Sequence, residues 1–231
     1  MEAMMAGEQV ERIYLATTVY GKQADEIKKI AEQYQVPINK VPVEKINSFN
    51  VENHEGCVAL RGKIQYQDLQ QVISFVVEAG EVPLFLLLDG ITDIRNIGAL
   101  ARTAYSCGVH AIVIPDKGTG ALNEDAIATS AGALESIPVC RVVSLMKAVD
   151  DLHLNGIKVY ASEMTAAKRI FDLDFNEPCA IVMGSEDKGI FPALMKVCDE
   201  RFSIPMKNDF ESLNVSVAAG IILYEVMKQR M

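Results

Sequence analysis

From Leu84 onward, hydrophobic residues come in short unbroken runs: Leu84–Leu88, Ala111–Ile114, Lys158–Ala161, Ala180–Met183 and Phe202–Ile204. Continuous apolar runs of this length are the pattern of strands buried on both faces, as in a parallel sheet. Between and after them, Ile97–Ser106, Asn123–Ala131, Leu145–Leu152, Phe191–Cys198 and Val215–Lys228 carry helical spacing. The alternation predicts an α/β domain with a mostly parallel sheet. Upstream the elements are shorter. Strands are predicted at Arg12–Ala16, Val36–Val41 and Cys57–Leu60, with helices at Gly21–Tyr34, Val43–Asn47 and Gln67–Glu78. Ala79–Pro83 then reads as a linker, which divides the chain into a small α/β unit (1–78) and a larger one (79–231).

Composition narrows the class without naming a function. Half of the 231 residues are hydrophobic and 23% are charged, so the chain has the means for a sizeable core. The longest apolar stretch, Val215–Tyr224, is interrupted by Ser216 and Gly220 and is too short to span a bilayer. The first residues, Met1–Glu8, are acidic and lack an apolar signal region, which leads us to expect a cytoplasmic protein. Five cysteines (57, 107, 140, 179, 198) without a CxxC pair, and three dispersed histidines (54, 110, 153), predict buried thiols and no metal site. A net charge of −9 weighs against a nucleic-acid partner. Lys22, Lys28, Lys29, Lys40, Lys45, Arg61 and Lys63 nonetheless fall close together ahead of the larger unit, as a solvated face or as an RNA-facing patch.

Three segments collect polar residues where a strand runs out and a helix begins, which is where α/β sheets place ligands. They are Asn96–Ala104, Ile181–Gly189, and Ile204–Met206 followed by Ser212–Ser216. Read locally, Asn96 caps a helix starting at Ile97, and Gly98 and Ala99 permit close packing. Arg102 is a surface residue or an ion-pair partner of Asp89 or Asp93. Glu186 lies at the start of the Phe191 helix, where a carboxylate meets the helix dipole. Ser212 and Asn214 both stand where they could cap the last helix. A dinucleotide-binding reading fails, because Leu88–Asp93 lacks the Gly-x-Gly-x-x-Gly turn after the first strand.

In this order and spacing, Asn-x-Gly-Ala-x-x-Arg (96–102), Met-Gly-Ser-Glu (183–186) and Ile-Pro-Met with Ser-Leu-Asn (204–206, 212–214) resemble motifs 1, 2 and 3 of the SpoU/TrmH family. The resemblance implies a methyltransferase that moves a methyl group from S-adenosylmethionine to a ribose 2′-hydroxyl of RNA. Large-subunit ribosomal RNA is the first candidate and tRNA the second. It implies a sheet with a deep C-terminal trefoil knot, preceded by a ribosomal-protein-like α/β domain that binds the RNA substrate. Asn53–Ala59 resembles that domain's NHQGxxA segment, with Glu55 where Gln is usual, and the family's first strand is missing ahead of Met1–Glu8. It further implies Arg102, Asn96, Glu186, Asn214 and Ser212 as catalytic residues, and Gly184, Ile204, Leu213, Met206 and Met183 around the cofactor. No metal is implied, and a homodimer through the last helix is expected, since its Val215, Val217, Ile221, Ile222 and Leu223 exceed one core-facing stripe. A guanidinium stays protonated, so Arg102 reads chiefly as a cation on phosphate and developing oxyanion; a base role would need another group to take the proton. A non-catalytic RNA-binding factor on the same fold is the remaining reading, and the presence of Arg102 and Asn214 argues against it.

Overall fold

The computed structural model describes residues 10–34, 36–62, 64–119, 122, 124–208 and 212–231, with Arg61 and Glu124 described in backbone only. Met1–Glu8 and Lys63, named above, lie outside the described residues. The chain divides into two compact units, one up to residue 65 together with 122 and 124, the other from Tyr66 on.

In the first unit, β1 (Val10–Ala16) is central. It pairs in parallel with β2 (Ile38–Val41) and antiparallel with β3 (Cys57–Arg61). Helix α1 (Lys22–Gln33) places Ala24, Ile27 and Ala31 against Ile13 and Leu15, at the i, i+3, i+7 spacing of one helix face. On the opposite face, Ile46 of α2 (Val43–Asn47) packs with Ala16 and Val58. The loop between α2 and β3 is tightly wound: Asn50, Asn53 and Glu55 have φ of 53°, 54° and 45°. His54 fastens it, accepting from the Gly56 N–H on Nδ1 (3.0 Å) and meeting Asn47 Oδ1 through Nε2 (3.0 Å).

The second unit is an eight-stranded sheet whose recorded pairings are all parallel. In chain order its elements are β4 (Tyr66–Gln67), α3 (Leu69–Glu78), β5 (Leu84–Asp89), α4 (Ile94–Ser106), β6 (Ala111–Pro115), α5 (Glu124–Thr129), α6 (Ala133–Ser136), β7 (Val139–Val142), α7 (Leu145–Leu154), β8 (Lys158–Ser162), β9 (Lys168–Arg169), a 3₁₀ turn (Ile170–Asp172), β10 (Cys179–Gly184), α8 (Pro192–Val197), β11 (Glu200–Ser203) and α9 (Val215–Arg230). The strand order is β4-β7-β6-β5-β10-β8-β11-β9. β10, formed late in the chain, enters between β5 and β8. This brings the carboxyl ends of β5, β10, β8 and β11 side by side, and every loop discussed below leaves from one of them.

Two expectations change. β4, β7 and β9 were not predicted; β4 and β9 are two residues long, and Arg141 breaks the apolar run of β7. The unit boundary falls at 65/66 rather than at 78/79. Leu69, Val72, Ile73 and Val76 of α3 are buried in the core of the second unit, so the Ala79–Pro83 segment connects two elements of one body.

Candidate active site

Helix α4 begins three residues earlier than the sequence suggests. Asp93 caps it, accepting from the Arg95 N–H at 2.9 Å and pairing with the Arg95 guanidinium at 2.8 Å. Asn96 is therefore not the cap. It stands in the first turn with its amide free for distant partners: Nδ2 donates to Glu186 Oε1 (3.3 Å) and Oδ1 accepts from Asn214 Nδ2 (3.2 Å). Asn214 Nδ2 also donates to Glu186 Oε1 at 2.6 Å, while Asn214 Oδ1 caps α9 by accepting from the Ser216 N–H at 3.0 Å. The Val215 N–H adds a third donor to Glu186 Oε1 at 3.1 Å. Glu186 thus sits at the start of α9, not of α8, where the dipole and an unsatisfied N–H both favour a carboxylate. Three loops, distant in sequence, are tied through one carboxylate oxygen.

The loop that carries Glu186 is rigid for local reasons. Gly189, at φ 65°, donates its N–H to the Ser185 carbonyl at 2.9 Å, and the Lys188 N–H reaches Ser185 Oγ at 3.2 Å. Asp89 Oδ2 accepts from the Phe191 N–H at 2.6 Å, fixing where the loop ends. A Cβ on Gly184 would collide with the backbone of Gly189 and Ile190, so the loop closes on itself only because residue 184 has no side chain.

These loops wall a cleft of about 790 Å³. Met183, Gly184, Ile204, Met206 and Leu213, the expected cofactor set, all line it, as do Glu186 and Ser212. Ser212 contributes to the wall; the cap of α9 is Asn214. The lining also includes Ser162, Glu163, Met164 and Thr165, which sequence reasoning missed. The signal was present: they follow the apolar run of β8, the same strand-end rule that selected the other loops, but no motif drew notice to them. Apolar side chains, exposed backbone and several carboxylates in a cleft of this size suit a nucleoside-sized ligand carrying positive charge.

Arg102 is placed differently. Six residues beyond Asn96, it is turned about 240° around the helix from it, and it is exposed. Asp93 is engaged by Arg95 and Asp89 by Phe191, so neither expected ion pair forms. Among the described residues Arg102 has no ion-pair partner, and it does not line the cleft. The helix it rides on is held closely. A Cβ on Gly98 would lie 2.8 Å from the Ala126 carbonyl oxygen and 2.8 Å from Thr129 Cβ, so α4 packs on α5 at near-backbone distance.

The remaining candidate chemistry is structural. All five cysteines are free, and burial pushes the Cys140 thiol up to about 12 and those of Cys179 and Cys198 to about 11, so these three stay protonated at neutral pH. His110 and His153 pair separately with Glu81 (2.8 Å) and Asp199 (2.9 Å). Among the described residues no three His, Cys, Asp or Glu side chains gather as a metal site, and no helix is long and apolar enough to cross a membrane.

Comparison with known proteins matches this geometry to a family. The profile of the SpoU rRNA methylase family covers residues 83–224, a span that contains all three loops. A Bacillus subtilis (strain 168) protein, YacO, described as a TrmH family tRNA/rRNA methyltransferase, is 33% identical over all of this chain and 92% of its own length. A Staphylococcus aureus (strain MSSA476) protein of the same description is 33% identical over 99% of this chain and 92% of its own. Among solved structures, the SpoU methyltransferase AviRb from Streptomyces viridochromogenes, in complex with the cofactor AdoMet, has a TM-score of 0.65. It is 26% identical, and the match covers 99% of this chain and 86% of that one. With the loops, the strand order and the near full-length relatives in agreement, the chain belongs to the SpoU/TrmH family and is an RNA methyltransferase.

Proposed function

We propose that the protein methylates a ribose 2′-hydroxyl of RNA, with S-adenosylmethionine as donor and ribosomal RNA ahead of tRNA as substrate. The observation that carries this reading is the contrast between Glu186, engaged by three donors, and Arg102, an exposed cation on the same helix as Asn96 with no ion-pair partner among the described residues. When bound, S-adenosylmethionine supplies an electrophilic methyl group on a sulfonium. Met183, Gly184, Ile204, Met206 and Leu213 would hold it, and their apolar and backbone surfaces exclude water from its neighbourhood. Glu186, Asn96 and Asn214 position the loops. Arg102 binds an RNA phosphate and stabilises oxyanion charge as the hydroxyl loses its proton, which passes to a neighbouring phosphate or to water. Asn96, Arg102, Glu186, Ser212 and Asn214 include no nucleophile suited to activating a base ring, which favours ribose as acceptor.

The first unit is read as the RNA-binding domain. Lys22, Lys29, Lys40 and Lys45 are exposed there and are the cations that would meet phosphate. A homodimer is supported by α9, where Val217, Ile221 and Tyr224 are 52%, 40% and 59% exposed along one face while Val215, Ala219, Ile222, Leu223 and Val226 fill the core. Insertion of β10 between β5 and β8 is compatible with the knotted threading of the family. The reaction belongs in the cytoplasm, in keeping with five free thiols.

The test is to compare RNA from cells with and without the gene. A ribose methyl blocks internal attack on phosphate, so the modified linkage resists alkaline cleavage, and mass spectrometry finds the extra mass on the sugar fragment. A methyl on the base fragment refutes the ribose assignment, and its appearance in tRNA instead of ribosomal RNA refutes the substrate preference.

A further inference from the structure

Glu163 is the one carboxylate of the cleft wall that lies on the far side of β10 from Arg102. It follows β8, whereas Asn96 and Arg102 follow β5, and β10 separates the two strands. Its backbone is fixed, since the Glu163 N–H donates to the Phe202 carbonyl on β11 at 2.8 Å. Its side chain is only 30% exposed. The nearest cation in an ion pair with it, Arg201 Nη1, is 3.8 Å from Oε2, too far for a hydrogen bond. Among the described residues no donor reaches either carboxylate oxygen. Glu186, by contrast, already accepts three hydrogen bonds. A carboxylate with no donor among the described residues keeps both oxygens available to a ligand, and it is acceptor-only when ionised.

We infer that Glu163 binds the vicinal ribose hydroxyls of the cofactor's adenosine, accepting one hydroxyl on each carboxylate oxygen. The inference rests on the cofactor reading above. A cis-diol offers two O–H donors close enough together to meet both oxygens of one carboxylate, and an acidic residue on ribose hydroxyls is a recurrent solution at nucleotide sites on α/β sheets. The cleft's other near groups suit the remainder of the ligand: Met183 and Met206 are apolar, and Ser185 is engaged within its own loop.

Calorimetry on the full chain decides the matter, with S-adenosylhomocysteine and its 2′-deoxy and 3′-deoxy analogues as ligands. Hydrogen bonds to a charged acceptor are worth enough that removing either hydroxyl should weaken binding to the wild-type chain about 10-fold. Glu163→Ala should weaken the parent ligand by a similar factor, and deleting a hydroxyl should then cost less than about 3-fold more, because its partner is already gone. Glu163→Gln, which keeps one acceptor, should fall between. Equal hydroxyl losses in wild type and Glu163→Ala overturn the inference while leaving the cofactor reading intact. So does a wild-type chain indifferent to both hydroxyls, a measurement that needs no variant to fold. If the wild-type chain binds none of the three ligands, the cofactor reading fails and this inference with it.

Discussion

The loop cluster at Glu186 and the outer face of α4 and α9 draw on the same two helices and are opposites. In the cluster, the amides of Asn96 and Asn214 and one oxygen of Glu186 are matched to one another within the chain. On the outer face, Arg102 has no ion-pair partner among the described residues, and Val217, Ile221 and Tyr224 are exposed. The two helices pack on each other between these regions; a Cβ on Gly220 would lie 3.9 Å from Thr103 Cγ2, one residue past Arg102. A side chain matched inside the fold holds geometry, whereas one left unmatched on a rigid support is available to something outside the chain. Mutations in the first region should therefore register in stability, and mutations in the second in activity or assembly.

Arg102→Ala gives the largest separation. Methyl transfer should fall by about 100-fold or more, the usual scale for a lost transition-state charge partner, while the melting temperature and S-adenosylhomocysteine affinity stay at wild-type values. Arg102→Lys should restore only a minor part, because an ammonium lacks the planar two-point contact with phosphate. A stability loss in Arg102→Ala as large as its activity loss would place Arg102 with the matched residues and break the comparison.

On the assembly side, Val217→Glu with Ile221→Glu should convert a dimer to a monomer, since two charges would face the partner copy without counter-ions. Light scattering at micromolar concentration reads the outcome directly. The monomer should keep its fold, because neither residue is part of the core. A wild-type chain that is already monomeric sinks the dimer reading.

Glu186→Ala tests the other region. Three donors lose their acceptor, and at an exposed site, where water takes over part of each bond, the loss should be about 1–3 kcal/mol in urea unfolding. Glu186→Gln, which keeps one carbonyl oxygen, should cost less. An Ala variant as stable as wild type would mean that the hydrogen bonds seen here contribute nothing net.

What the sequence made legible follows the same division. The buried runs Leu84–Leu88 and Ala180–Met183 identified strands because burial on both faces leaves an unambiguous pattern, and the strand-end rule located the three loops. The five residues expected around the cofactor all reached the cleft. The misreadings are ones that local pattern cannot resolve. Asn96 and Asp93 are both good capping residues three positions apart, and only the distant acceptor on Glu186 settles which one is free. Glu186 precedes α8 in sequence yet serves α9, because insertion of β10 beside β5 brings the two loops together. The α3 helix looked like the end of the first domain; its apolar face belongs to the second, so a truncation after residue 80 would strip the core instead of isolating the catalytic unit.

Asp93 gives the smallest effect and the finest test, because its cap is what frees Asn96. Its carboxyl is held below the ordinary aspartate range, first by the Arg95 side chain and then by the Arg95 backbone N–H, with burial opposing slightly. A folded-state pKa below the unfolded one contributes stability that is complete above the unfolded value and is lost as pH falls through the folded one. That window lies below about pH 4. Asp93→Asn keeps an acceptor for the Arg95 N–H but removes the charge that pairs with the guanidinium. The wild type should therefore unfold at a slightly higher urea concentration than Asp93→Asn at pH 7, and the gap should be smaller at a pH below about 4. Asn96 should keep its bonds to Glu186 and Asn214 in both proteins, so methyl transfer at neutral pH should change little. A gap of unchanged size at both pH values would show that the Asp93 charge does not support α4, and that the helix start rests on the neutral cap alone.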